Sequence, residues 1–131
     1  MGIRIPHSFF KEFSIDHPST KTTNLNILLY GANDYGGLYI RKRYLKHGYE
    51  SLQSNLVGFI DDDLSLTNEY IYGKKVLGSL GDVEELIKKH HINKIILTTH
   101  ITDNKREQLK KITQIYDIDL VQWQVVERDL K

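Results

Sequence analysis

Cysteine is missing altogether from the 131 residues, which removes thiol catalysis, Cys-ligated zinc, iron–sulfur clusters and any disulfide scaffold from consideration. An excess of charge is missing too. With Lys+Arg 18 against Asp+Glu 17 the formal charge is +1, so no global field draws in DNA, RNA or anionic lipid, and nucleic acid is not an expected partner. No apolar run approaches the ~20 residues of a membrane span, and the opening Met1-Gly2-Ile3-Arg4-Ile5-Pro6 lacks the apolar core of a signal peptide. There is no internal repeat, no low-complexity tract, no phosphate loop of the G-x-x-x-x-G-K-[ST] type, no G-x-S-x-G and no H-E-x-x-H. What is present, 40% hydrophobic and 27% charged residues, describes one ordered domain of soluble, intracellular type. A chain of this size can bury roughly two-thirds of its unfolded surface without staples.

Residues 1–23 read differently from the rest. A short apolar patch at Phe9, Phe10 and Phe13 suits one or two helical turns, and the polar stretch His17-Pro18-Ser19-Thr20-Lys21-Thr22-Thr23 has the composition of a linker. The segment is expected to be a tether outside the sheet, so that its deletion leaves the melting temperature nearly unchanged. The compact domain, 24–131, then begins near Asn24. Ile27-Leu28-Leu29-Tyr30 is continuously apolar, as a strand buried on both faces of a parallel sheet must be. Asp34 to His47 follows as a helix with Gly37, Ile40 and Tyr44 inward, Leu38 and Leu45 beside them, and Gly48 as its stop. Leu56 to Ile60 and Lys75 to Gly78 read as strands. Val83, Leu86, Ile87 and the flank of His90 give the buried stripe of a second helix. Ile95-Ile96-Leu97 repeats the buried-strand signal. A helix from Asp103 to Tyr116 that buries Leu109, Ile112 and Tyr116, and a strand at Leu120 to Trp123, complete the order βαβ, β, αβ, αβ. Such alternation implies right-handed crossovers and helices on both faces. The fold class is therefore α/β, a doubly wound, mostly parallel five-stranded sheet in the order 3-2-1-4-5. Its switch point lies at the carboxyl ends of the first and fourth strands, where a ligand is expected.

The residues at that point carry the chemistry. Gly31-Ala32-Asn33-Asp34-Tyr35-Gly36 stands at the first strand-to-helix turn and is one substitution from the dinucleotide fingerprint G-x-G-x-x-G. Gly31 permits the tight turn, Gly36 lets the helix pack close, and the helix N-terminus offers N–H groups to a phosphate. Asn33 stands where a glycine would let the backbone approach a pyrophosphate. Either the ligand rides higher or Asn33 hydrogen-bonds it, and the alternative is an empty turn with Asn33 left-handed. Asp61 closes the second strand, where a carboxylate accepts from a ribose 2′-OH and repels a 2′-phosphate, favouring NAD over NADP. Asp62 shares that position, although Asp62 and Asp63 also read as a solvated acidic turn. Thr98, Thr99 and His100 end the fourth strand at the switch point, so Thr98 and His100 join the candidate binding residues; a solvated loop histidine is the alternative for His100.

Other motifs carry less. Tyr70 and Lys74 have Y-x-x-x-K spacing, but Gly73 and the adjoining strand argue against the shared helix face that the Tyr–Lys chemistry needs. His90-His91 reads as a helix-end pair near the dipole, without metal-ligand spacing. Arg41-Lys42-Arg43, Lys46 and His47 read as a solvated helix face.

Taken in order, Asn26 to Gly36, Val57 to Asp63 and Ile71 to Gly78 resemble the CoA-binding-like Rossmann domain of bacterial polysaccharide biosynthesis proteins, over roughly Asn24 to Trp123. The family usually has glycine at the position of Asn33. The resemblance implies a Rossmann-like module that binds a nucleotide-type small molecule, NAD or another nucleotide or CoA. It also implies a larger membrane-associated parent, either a nucleotide-sugar epimerase or dehydratase or a sugar-1-phosphate transferase, with the domain on the cytoplasmic side. Arg4 to Phe13 is then similar to the family's juxtamembrane segment. No general base, nucleophile or metal site accompanies the turn, so the isolated chain is expected to bind and not to catalyse. The other readings are a fragment of an NAD-dependent oxidoreductase, and a structural or dimerising domain that associates as a homo-oligomer.

Overall fold

A computed structural model of the chain describes residues 8–15, 25–47 and 54–127. In chain order the elements are β1 (Ser8–Ser14), β2 (Leu25–Tyr30), α1 (Asp34–His47), β3 (Ser54–Ile60), β4 (Tyr70–Ile71), β5 (Lys74–Gly78), α2 (Val83–His90), β6 (Lys94–Leu97), α3 (Asp103–Ile115) and β7 (Asp119–Glu127). They form a seven-stranded sheet in the order β1-β7-β6-β2-β3-β5-β4. The five inner strands β7, β6, β2, β3 and β5 are mutually parallel, in the expected order with the first apolar run central. The expectation of five strands is corrected to seven, because an antiparallel strand is added at each edge, β1 of seven residues and β4 of two.

Alternation along β2 sorts the core into two layers. Ile27 and Leu29 join Tyr39, Ile40, Phe59, Ile96 and Trp123 on the α1 side. Leu28 and Tyr30 join Val83, Leu86, Ile87, Leu109 and Ile112 on the α2 and α3 side. Residues 27–30 are all buried, so both faces of the strand exclude water, and burying each such side chain is worth about 1.5–3 kcal/mol. The stripe expected on α1 needs one correction. Tyr39 turns inward, meeting Trp123 edge-on at 5.3 Å between ring centroids, while Leu38 is partly exposed. Tyr44, Leu45 and the expected stop Gly48 lie outside what is described for side chains or backbone. The Tyr70 and Lys74 pair falls on an antiparallel hairpin, Ile71 opposite Lys74, and not on a helix.

The larger correction is at the N-terminus. Ser8–Ser14, expected as a helical turn in a tether outside the sheet, is a strand antiparallel to β7, from Ser8 opposite Glu127 to Ser14 opposite Val121. The cause lies in β7, which continues past Trp123 to Glu127 and would otherwise leave a row of backbone groups unpaired at the sheet edge. Ile15 extends the attachment: its N–H donates to the Leu120 carbonyl at 2.8 Å and its side chain packs on the α2 and α3 layer. The expected boundary at Asn24 falls outside the described residues. Deleting residues 1–14 is therefore expected to lower the melting temperature by roughly 5 °C, the scale of about 1 kcal/mol in a domain of this size. A thermal melt followed by circular dichroism checks this, and an unchanged midpoint would restore the tether reading.

Candidate functional site

The turn between β2 and α1 is held by its own groups. Gly31 has φ +123°, a conformation that side-chain-bearing residues rarely adopt. At Gly36 a Cβ would overlap the Gly31 carbonyl and lie 2.8 Å from Phe59 Cε1, so only glycine lets α1 come this close to the strand. Asn33 is not among the described residues with positive φ, which corrects the left-handed alternative. Instead it caps the helix: its Oδ1 accepts from the Gly36 N–H at 3.0 Å, and its carbonyl accepts from the Gly37 N–H at 3.0 Å. Asp61 Oδ2 accepts from the Ala32 N–H at 2.8 Å. Among the described residues the N–H groups of Asn33, Asp34 and Tyr35 have no hydrogen-bond partner, and these are the donors left at the helix N-terminus.

The strand ends beside this turn bring the other candidates together. Thr98 is buried, and its hydroxyl donates to the carbonyls of Tyr30 and Gly31 at 3.1 and 3.0 Å, so it fixes the turn from behind. Thr99 and His100 stand between two clefts. One, of 230 Å³, is lined by Tyr30, Asp61, Asp62, Ile101, Thr102 and Lys105 with those two residues. The other, of 340 Å³, is lined by Asn33, Tyr35, Thr98, Gln122 and Trp123 with the same two. The candidate residues Asn33, Tyr35, Asp61, Asp62, Thr98 and His100 thus converge on one crevice at the predicted switch point. A larger groove of 710 Å³ runs between α2 and α3; none of the candidate binding residues borders it. Asp34 faces a different neighbour. Its Oδ1 accepts the Tyr72 hydroxyl at 3.1 Å, and the Tyr72 ring lies against Gly37, so the β4–β5 hairpin clasps the first turn of α1.

Asp62 is not a solvated turn residue. Its Oδ2 accepts the Tyr30 hydroxyl at 2.6 Å and the Lys105 ammonium at 2.9 Å. Burial by itself pushes this carboxyl up, but the hydrogen bonds from Tyr30 and Lys105, the Lys105 charge and the Leu80 backbone outweigh it and hold Asp62 below the usual carboxylate range. The Tyr30 phenol is pushed well above its ordinary value by burial and then by Asp62, so it serves as a hydrogen-bond donor and not as a base. Asp63 is exposed, as a solvated turn residue is, and it also caps the short helical turn Leu64–Leu66, accepting from the Ser65 N–H. Neither Tyr30 nor Lys105 was singled out beforehand. A tyrosine closing an otherwise aliphatic buried strand is the signal that was available, because a buried hydroxyl needs a partner. Among the described residues no cluster of three metal-ligating side chains occurs, and no helix is long and apolar enough to cross a membrane.

No protein-family model and no curated protein sequence matches the chain. Its fold is similar to several solved structures. UDP-D-quinovosamine 4-dehydrogenase from Vibrio fischeri matches at TM-score 0.59 and 22% identity, over 76% of this chain and 78% of that one. RSP, a Rex-family repressor, matches at TM-score 0.57 and 20% identity over 73% of this chain; this chain spans 43% of its length. The same repressor in complex with beta-NADH matches at TM-score 0.56, also at 20% identity and over 73% and 43% of the two chains. Together with the sheet order, these likenesses define a Rossmann-like α/β fold.

The site generates two expectations. Gly36→Val forces α1 away from β2 and is expected to destabilise the domain by about 1–3 kcal/mol, the usual range for overpacking, measured by urea unfolding; a loss below 0.5 kcal/mol (roughly the noise of a surface change) would show that the close approach is dispensable. The second concerns pH. A carboxyl held low in the folded state adds stability above its unfolded pKa and loses it as pH falls through the folded value. The stability gap between the parent and Asp62→Asn should therefore be constant above about pH 5 and shrink below about pH 4, the unfolded carboxylate range. A gap that does not change between pH 6 and pH 3 would mean that Asp62 is not held ionised by its partners.

Proposed function

We propose that the chain is a nucleotide-binding module whose ligand is NAD. The observation that carries this reading is the juxtaposition of the α1 N-terminus, with its unpartnered Asn33, Asp34 and Tyr35 amides, and two clefts that flank Thr99 and His100. A two-ended ligand fits that plan. Its diphosphate meets the helix N-terminus, an adenosine ribose faces Asp61, and the other end lies beside Asn33, Tyr35 and Trp123. The beta-NADH complex of the repressor with the same fold supports the choice of ligand. That repressor has also been solved with beta-NAD+ and operator DNA, but the formal charge of +1 here gives no field for DNA, and the module reading leaves nucleic acid out. Within the same proposal, the module belongs to a larger membrane-associated protein of polysaccharide or nucleotide-sugar biosynthesis and sits on its cytoplasmic side.

A second reading, a fragment of an NAD-dependent nucleotide-sugar epimerase or dehydratase, draws support from the likeness to a UDP-sugar dehydrogenase. One set of measurements separates the readings. Thermal shift and calorimetry with NAD, NADP, CoA, UDP-sugars and mononucleotides are expected to show NAD binding that Asp61→Ala weakens at least tenfold. Binding of none of them would leave a structural or dimerising domain. Turnover of a UDP-sugar in the presence of NAD would replace the module by the enzyme.

A further inference from the structure

The cleft beside Asp61 contains an ion pair that the nucleotide reading does not use. Lys105 reaches from the first turn of α3 to Asp62, and both side chains remain partly open to solvent, 41% and 32% exposed. An ion pair so exposed adds little to stability. Its position does more. Asp61, Asp62 and Lys105 line the same 230 Å³ cleft, and two carboxylates against one ammonium leave that cleft formally at −1. Asp61 is fixed there by the Ala32 and Asp63 N–H groups, one on each oxygen, so its charge cannot swing away. Lys105 is the cation that would otherwise welcome a phosphate, through a charge-assisted hydrogen bond, and Asp62 neutralises it.

We propose that the Asp62–Lys105 pair sets which adenosine ligands the cleft accepts, selecting a ribose with free hydroxyls over one that carries a phosphate. The proposal rests on the nucleotide reading and adds to it a specificity element that lies outside the fingerprint turn. A ribose phosphate beside Asp61 needs a nearby cation to be tolerated. In this chain that cation is present but already paired. Asp62 stays ionised through the bonds from Tyr30 and Lys105, so the pairing holds at neutral pH.

The test measures dissociation constants for NAD and NADP by calorimetry on the full chain and three variants. Asp62→Asn, which can still accept from the Tyr30 hydroxyl, brings the cleft to zero formal charge and releases Lys105. The ratio of the NADP to the NAD constant is expected to fall at least tenfold. Lys105→Met leaves every other bond of Asp62 intact and takes the cleft to −2, so the ratio should rise at least threefold. The double variant returns the cleft to −1 without the pair, and its ratio should return to within threefold of the parent. If Asp62→Asn does not fold, as judged by its melt, the opposite shift in Lys105→Met decides. NAD binding with a ratio that stays within twofold of the parent in the folded variants overturns this proposal alone, as does a gain in Asp62→Asn that persists in the double variant. Binding of neither nucleotide by the parent chain overturns the nucleotide reading, and this proposal with it.

Discussion

The contact of Gly36 with the Gly31 carbonyl is the constraint on which the rest of the site depends. It brings the start of α1 against the end of β2 with no side chain between, and so fixes both the axis of the helix and the place where its N-terminal amides emerge. Everything around the turn is built to hold that approach. Thr98 takes the carbonyls of Tyr30 and Gly31 from behind, Asp61 takes the Ala32 amide from the side, and the Gly31 N–H donates to the Ile60 carbonyl. Tyr72 closes from the outside by laying its ring on Gly37 and donating to Asp34. Tyr72 itself holds φ 51°, an unusual conformation for an aromatic residue, in the tight turn that aims it there.

The parallel core was legible because burial on both faces leaves a one-dimensional trace. Ile27 to Tyr30 and Ile95 to Leu97 are unbroken apolar runs, and only a central strand of a two-sided sheet makes such runs stable. The N-terminal strand left no such trace. Phe9, Phe10 and Phe13 stand at i, i+1 and i+4, which suits a helical turn and not the strand period, and an edge strand needs one partner and tolerates charge. Its place is set by the length of β7, more than a hundred residues further on. The inward place of Tyr39 is hidden for a similar reason. Helical spacing around Gly37 and Ile40 allowed either neighbour inward, and the partner that decides it, Trp123, lies on the last strand.

The run Asp61-Asp62-Asp63 shows why a site is harder to read than a fold. By composition the three are one acidic turn, yet each carboxylate has a different task. Asp61 holds the glycine turn, Asp62 binds Tyr30 and Lys105 across the crevice, and Asp63 caps the next helical turn. The position of Asp61 at a strand end was enough to single it out. The task of Asp62 depends on partners 32 and 43 residues away, which the crossover topology brings together and no local pattern records. Asn33 lies between these cases. Its departure from glycine was visible, but its role as a cap follows only from where Gly36 must be.

The crevice consequently has a rigid floor and one partly solvated wall. The floor is made of backbone hydrogen bonds and a glycine contact, which cannot shift without moving α1 off the sheet, so a ligand meets it already in place and little ordering cost is added on binding. Asn33 and Asp61 have satisfied the Gly36 and Ala32 amides, which leaves direct donation to Asn33, Asp34 and Tyr35. The wall is different in kind. The Asp62–Lys105 pair is partly solvated, and salt weakens it. In the proposed nucleotide reading, discrimination between ligands of similar shape falls to the wall, because the floor offers all of them the same backbone amides.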